Sequence, residues 1–158
     1  MAFKSFLGRT DLPRGFRNNN PGNLVKTSIP WNGEVAVNTD GKFEQFIELR
    51  YGIRALMRDI INDVNKGKTS VKALITEFAP AFENNTTAYI ASVIANVGFS
   101  VIPELTQENL IAICKAIIFV ENDHYNGKSG YSKMIVDADY YQAIAILGIA
   151  LPKKKVTS

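Results

Sequence analysis

From Tyr51 onward the apolar positions fall into a helical rhythm. Ile53, Leu56, Met57, Ile60, Ile61 and Val64 recur every three or four residues, and Gly67 follows as a stop. Ser70 is placed to cap a second helix carrying Val71, Leu74, Ile75 and Phe78, which ends near Pro80. The polar run ENNTT offers a cap for a third, lined by Tyr89, Ile90, Val93, Ile94 and Val97 and followed by Gly98. Thr106 caps a fourth, with Glu108 in the first turn, where the helix dipole favours an acid. Its apolar positions are Leu110, Ile111, Ile113, Cys114, Ile117 and Ile118. A last helix is expected from Ala138 to Ile149. Residues 13–46 break the rhythm. They are rich in Gly, Asn and Pro, with short segments EVAV and KFEQF, and predict loops with a small β-hairpin turned at NTDG (Asn38–Gly41). The expected fold is mainly α (α+β), a single domain over residues 1–158, with residues 1–12 and 152–158 as flexible ends.

The fourth helix raises the chemical question. Positions 110, 114, 117, 118 and 121 share one stripe, so Glu121 closes a buried face. Burial disfavours the ionised carboxylate and raises its pKa. A carboxyl group kept protonated near neutral pH can give its proton to a leaving oxygen. Asn122, Asp123, His124 and Tyr125 follow at once and are placed to line a cleft. The plainer alternative is a helix that ends with Glu121 turned to water.

Composition narrows the field. With 46% apolar and 21% charged residues, the chain has the balance of an ordinary globular domain. The net charge of +3 favours anionic partners weakly and does not separate a cell-wall polymer from nucleic acid. Lys and Arg are dispersed rather than gathered on one helix face, which argues against nucleic acid. Cys114 is the single cysteine, so no internal disulfide or cysteine-based zinc site can form. With one histidine, a His-rich metal site is excluded too. No 18-residue apolar run predicts membrane insertion, and MAFKSFLGRTDLPRG lacks the apolar region of a secretory signal.

Three further stretches carry candidate site residues. In RGFRNNNPGNL, Asn19, Asn20 and Asn23 belong to an ordered, self-bonded loop. It is either a structural turn or a surface whose amides contact a polar polymer such as a glycan. Trp31, beside Asn32-Gly33, offers an aromatic face for a sugar ring or else a core side chain. Glu83, in AFENNTTAYI, is a possible second acid or part of a polar loop. His124 could serve as a general base, yet no nucleophilic Ser or Cys motif stands ready to pair with it.

Taken in order, RGFRNNNPGNL, WNGE, FEQF…YGIRAL, LITEFAPAFENNTTAYI and KAIIFVEN resemble a family of phage and prophage proteins, either virion structural or endolysin-like lytic. The resemblance covers about Arg14 to Leu147. The family pattern has Trp where this chain has Phe78, Asp where it has Asn85, and Gly where it has Asp123. A looser resemblance is to glucosaminidase and lysozyme-like lytic enzymes, which place a catalytic Glu at the end of an apolar helix. Here the parts come in the same order except that the Glu helix is last, as in a circular permutation of a lysozyme-like domain.

These resemblances imply a peptidoglycan-cleaving enzyme without a cofactor, with Glu121 as general acid. A hydrolase would need a second carboxylate, with Glu34, Glu44 and Glu83 as candidates. A lytic transglycosylase would need one acid, because the sugar's own hydroxyl attacks. Tyr89 is carried over from the Tyr of the Thr-Asp-x-x-Tyr segment of the lytic enzymes and would orient the substrate. The implied partners are glycan strands and other virion proteins. The implied location is the virion, or the host cytoplasm before release to the wall. A virion scaffold that keeps the shape without the activity is the second implication, since a fold does not dictate its function.

Overall fold

Each apolar stripe folds into a helix. The structure, a computed structural model, describes residues 2–79 and 85–153. Helix α1 (Arg14–Arg17) is a single turn inside the Asn-rich region, too short for any period to announce it. Helices α2 (Leu49–Asn65), α3 (Val71–Phe78), α4 (Thr86–Val97) and α5 (Gln107–Asn122) follow the expected stripes, and α6 (Asp137–Ala145) closes the chain. All three expected side-chain caps are made. Ser70 accepts from the Ala73 amide, Asn85 from that of Ala88, and Thr106 from that of Asn109.

Helix α6 stops at Ala145, short of the expected Ile149. Two arginines of α2 explain the early end. Arg54 donates to the Ile146 carbonyl at 2.8 Å and Arg58 to the Leu147 carbonyl at 2.7 Å. Cations at the carbonyl end of a helix satisfy the orphan acceptors and oppose the dipole. Gly148 then turns the chain with φ at +74°.

Helix α5 is the hub. It packs against α1, α2, α4 and the 3₁₀ turn Tyr131–Met134. Leu110, Ile113, Cys114, Ile117 and Ile118 on its inner stripe are fully buried. Burial pushes the Cys114 thiol up, so it packs as a small apolar side chain.

The mainly helical expectation holds, but the hairpin does not form as strands. Val25 meets Phe43 and Glu34 meets Phe46 only at isolated antiparallel bridges. A few backbone bonds cross between the segments, such as Lys26 to the Lys42 carbonyl at 2.8 Å and Val35 to the Gln45 carbonyl at 3.0 Å, and side chains supply the rest. Asn20 donates to the Leu24 and Glu44 carbonyls, both at 3.0 Å. Asn38 accepts from the amides of Asp40 and Gly41. Asp40 is gripped by Arg14 at 2.7 Å and 2.8 Å and by Asn18 at 2.9 Å, which holds its carboxyl well below the usual range. Asn and Asp compete with backbone pairing in this way wherever they crowd a loop.

The N-terminal segment, expected as a flexible end over residues 1–12, is tied down instead. Lys4 bonds Asp139 of α6 at 2.7 Å and the Met134 carbonyl at 3.0 Å. Phe6 stacks on Phe16 with centroids 5.4 Å apart. At the other end, residues 154–158 lie outside the described residues.

Glu44 is a stressed element of this scaffold. It lies two residues before Phe46, the bridge partner of Glu34, so the two acids are diagonal neighbours on one face. It is 2% exposed, and its Oε2 has no partner. Burial first, and then Glu34, push its carboxyl from 4.5 up to about 7. A carboxyl raised in the folded state binds its proton more tightly there than in the unfolded chain. The stability it lends is complete below pH 4.5 and is lost as pH rises through about 7. Asp59, pushed up to about 6, acts in the same direction. Thermal midpoints should therefore fall between pH 4.5 and 7, and Glu44→Gln should flatten that fall. An equal slope in the variant would assign the pH dependence elsewhere.

Candidate active site

The site is assembled where the Asn-rich loop meets the end of α5. Asn122 is fully buried. Its side-chain amide donates to Ile118 of its own helix at 2.9 Å and across to the Pro21 carbonyl at 2.8 Å. That second bond fastens the loop to α5. Asn19 and Asn23 adopt left-handed backbone, φ 52° and 51°, which Asn tolerates better than most residues. Gly15 makes room beneath them. A Cβ there would meet Asn122 Oδ1 at 2.7 Å and both Asn23 Oδ1 and the Asn20 carbonyl at 2.9 Å. Gly52 of α2 lies against the Asn19 carbonyl, leaving no space for a side chain.

Held this way, Asn23 donates to Glu121 Oε1 at 2.8 Å. From α4, the Tyr89 hydroxyl donates to Glu121 Oε2 at 2.8 Å. Tyr89 is itself 4% exposed and takes the edge of Phe78 at 6.5 Å. The three side chains lie in a cleft of about 590 Å³, with Asn85, Phe119 and His124 among its other walls. A neighbouring cavity of about 320 Å³ shares Asn23 and holds Trp31 together with Asp59, Asp63 and Glu77.

The carboxyl of Glu121 sits above its ordinary 4.5 because burial penalises the charge. The bonds from Asn23 and Tyr89, and the charge of His124, pull it part of the way back. Burial first, and then the Glu121 charge, drive the Tyr89 phenol well above 10, so Tyr89 remains a donor. Each carboxyl oxygen can take two hydrogen bonds, so the two protein donors leave a place for a proton facing the cleft. The arrangement suits a proton donor.

Glu121, Tyr89, Asn23 and His124 are thus brought together, with the Tyr89 hydroxyl bonded to Glu121. Asn122 lies beneath the cleft rather than in it. Asn19 and Asn20, expected to face a glycan, are fully buried. Asn19 bonds the Phe6 amide, the Phe46 carbonyl and Ser5, and Asn20 bonds Leu24 and Glu44, so neither side chain is free to reach a ligand. Trp31 belongs to the neighbouring cavity. Glu34 lines neither cavity; it accepts the Trp31 amide at 3.2 Å and faces Glu44. Glu83 lies outside the described residues. Asp123, where the family pattern has Gly, accepts from Ser132 at 2.7 Å and 2.8 Å and from Gly130 at 3.1 Å, which fastens the loop after α5.

Sequence reasoning missed Asn85 and Phe119 in the cleft and the acids of the neighbouring cavity. Asp59 and Asp63 did leave a signal. They are like charges four apart on an apolar helix, a spacing that costs stability.

No family model matches the chain. It is, however, 36% identical over 116 residues to "Protein P5" of Pseudoalteromonas phage PM2, covering 71% of this chain and 72% of that protein. The chain belongs to the family of that phage protein. A phage association, the coarser content of the first resemblance, follows from this kinship. Among the described residues no helix is long and apolar enough to cross a membrane.

Two outcomes test the geometry. Tyr89→Phe and Asn23→Ala each remove a donor to the carboxylate, so each should raise the Glu121 pKa. Carbon-13 NMR of the labelled carboxyl reads this, and an unchanged or lowered value would break the arrangement. Gly15→Ala forces a methyl onto two side-chain oxygens and should cost about 1–3 kcal/mol in denaturant unfolding; a neutral result would mean that the loop yields.

Proposed function

We propose that the protein cleaves the glycan strand of bacterial peptidoglycan, with Glu121 as the general acid. The observation that carries the reading is the half-buried Glu121 carboxyl at the end of an apolar helix, open to a cleft and held by Asn23 and Tyr89. In the reaction Glu121 gives its proton to the glycosidic oxygen while the bond from that oxygen to the sugar's anomeric carbon breaks. The leaving sugar departs as an alcohol. The resulting oxocarbenium-like centre is captured by water in a hydrolase, or by a hydroxyl of the same sugar in a lytic transglycosylase. In either case the Glu121 carboxylate takes back the proton that the attacking water or hydroxyl gives up. Asn23 and Tyr89 stabilise the carboxylate that exists between the two steps.

The reading includes a lysozyme-like arrangement with the Glu helix placed last, by circular permutation. It also includes action as a phage lytic protein, either borne by the virion or released for lysis. The phage kinship supports that setting. Among the described residues, Glu121 and Asp123 are the carboxylates of the cleft, and Asp123 is fully engaged by Ser132 and Gly130. This speaks against Glu34 as the second carboxylate.

The test is release of soluble fragments from purified walls. Glu121→Gln should lower the rate by at least about 10²-fold, as loss of a general acid does, with an unchanged thermal midpoint. Because the acid must be protonated, the wild-type rate should fall as pH rises through the raised Glu121 pKa. Equal rates for both proteins would remove Glu121 from the mechanism. No release by either, from walls of several bacterial types, would favour a virion scaffold without activity.

A further inference from the structure

The cavity beside the Glu121 cleft calls for a ligand group that a neutral glycan does not supply. Its walls include Trp31 and three carboxylates, Asp59 and Asp63 of α2 and Glu77 of α3. Asp63 is the informative member. It is 9% exposed, so more than nine-tenths buried, yet it lines the cavity. Among the described residues no hydrogen bond or ion pair engages its carboxylate, and Lys66 and Lys68 act on it only through space. Its oxygens are open to the cavity rather than closed off, so a ligand that covered them without supplying a cation would strip water from an unpaired charge, which is costly. Asp59, one helical turn away, and Glu77 add like charge to the same space. Trp31 supplies an aromatic face, which attracts a cation. The cavity and the cleft share Asn23, the residue that holds Glu121, as a common wall, so a group bound in the cavity lies next to the cleft.

We propose that this cavity is a subsite for a primary ammonium group carried next to the glycan strand, paired with Asp63, flanked by Asp59 and Glu77, and passing over Trp31. The placement beside a scissile bond rests on the glycan-cleaving reading above; the charge chemistry of the cavity does not. Two wall components bear such a group: the side-chain amine of a diamino acid in a wall peptide, and the amine of a glucosamine that lacks its acetyl group.

Calorimetric titration of the full chain separates them, using a wall peptide with a free diamino-acid side chain and a glucosamine trisaccharide with free amines. Each probe is also prepared with its amine acetylated. One free-amine probe should bind, and its identity names the source. Acetylation and Asp63→Asn should each weaken that binding by about tenfold or more, as loss of a charged partner does. The thermal midpoint of Asp63→Asn should not fall. Should that variant fail to fold, Glu77→Gln, at an exposed position, decides by the same loss. Equal binding of free and acetylated probes, binding of neither, or unchanged binding in the folded variants would each overturn the subsite. Binding is read without turnover, so the two readings fail separately. Wall cleavage without amine preference sinks the subsite alone, and amine binding without wall cleavage sinks the glycan reading alone.

Discussion

The loop is fastened to the central helix by the bond from the Asn122 side chain to the Pro21 carbonyl at 2.8 Å, and the site's geometry builds on that junction. It joins the end of the central helix to a loop about a hundred residues away in sequence. It reinforces the bond from Asn23 to Glu121 and the close approach of the loop to α2 at Gly52. The loop can accept the bond because Asn19 and Asn20 have already turned inward and spent their side chains on its own backbone. Two glycines, Gly15 and Gly52, let the loop lie close enough to α1 and α2 for this to happen. The loop is therefore a scaffold first, and it presents only Asn23 to the cleft.

The electrostatics follow from that geometry. Burial alone would leave Glu121 a weak acid that gives up its proton reluctantly. Two neutral donors and a nearby histidine oppose burial without cancelling it. A proton donor needs this balance, because it must hold the proton until the leaving oxygen arrives and then tolerate the negative charge. A salt bridge would have tipped the balance too far toward the carboxylate. Glu44 shows the contrasting case: a buried acid whose first perturbing neighbour is another acid, set apart from the cleft and raised to about 7.

Helices α3, α4 and α5 were legible because an apolar period and a capping signal both marked them, with Ser70, Asn85 of the ENNTT run and Thr106 as the caps, while α2 was marked by its period without a capping side chain. Glu121 was legible for the same reason, since its place on the stripe implied burial. The hairpin forms only as isolated bridges, because alternation and a turn signal do not reveal that Asn20, Asn38 and Asp40 will take up part of the backbone's hydrogen bonding. The pattern announced a self-bonded asparagine loop, as Asn20 makes with Leu24, but not the part each asparagine plays. Residue type shows that Asn tolerates left-handed backbone, but not that Asn23 faces the cleft while Asn19 and Asn20 face inward. The partners of Glu121 lie 98 and 32 residues away, a distance over which no periodicity carries information.

The most direct measurement is mass spectrometry of the new chain ends released from purified peptidoglycan. Cleavage of the glycan strand predicts fragments ending in a reducing sugar or an anhydro-sugar, with the anhydro form expected if Glu121 acts as the sole acid. Fragments cut only within the peptides, with every glycan strand intact, would contradict the account.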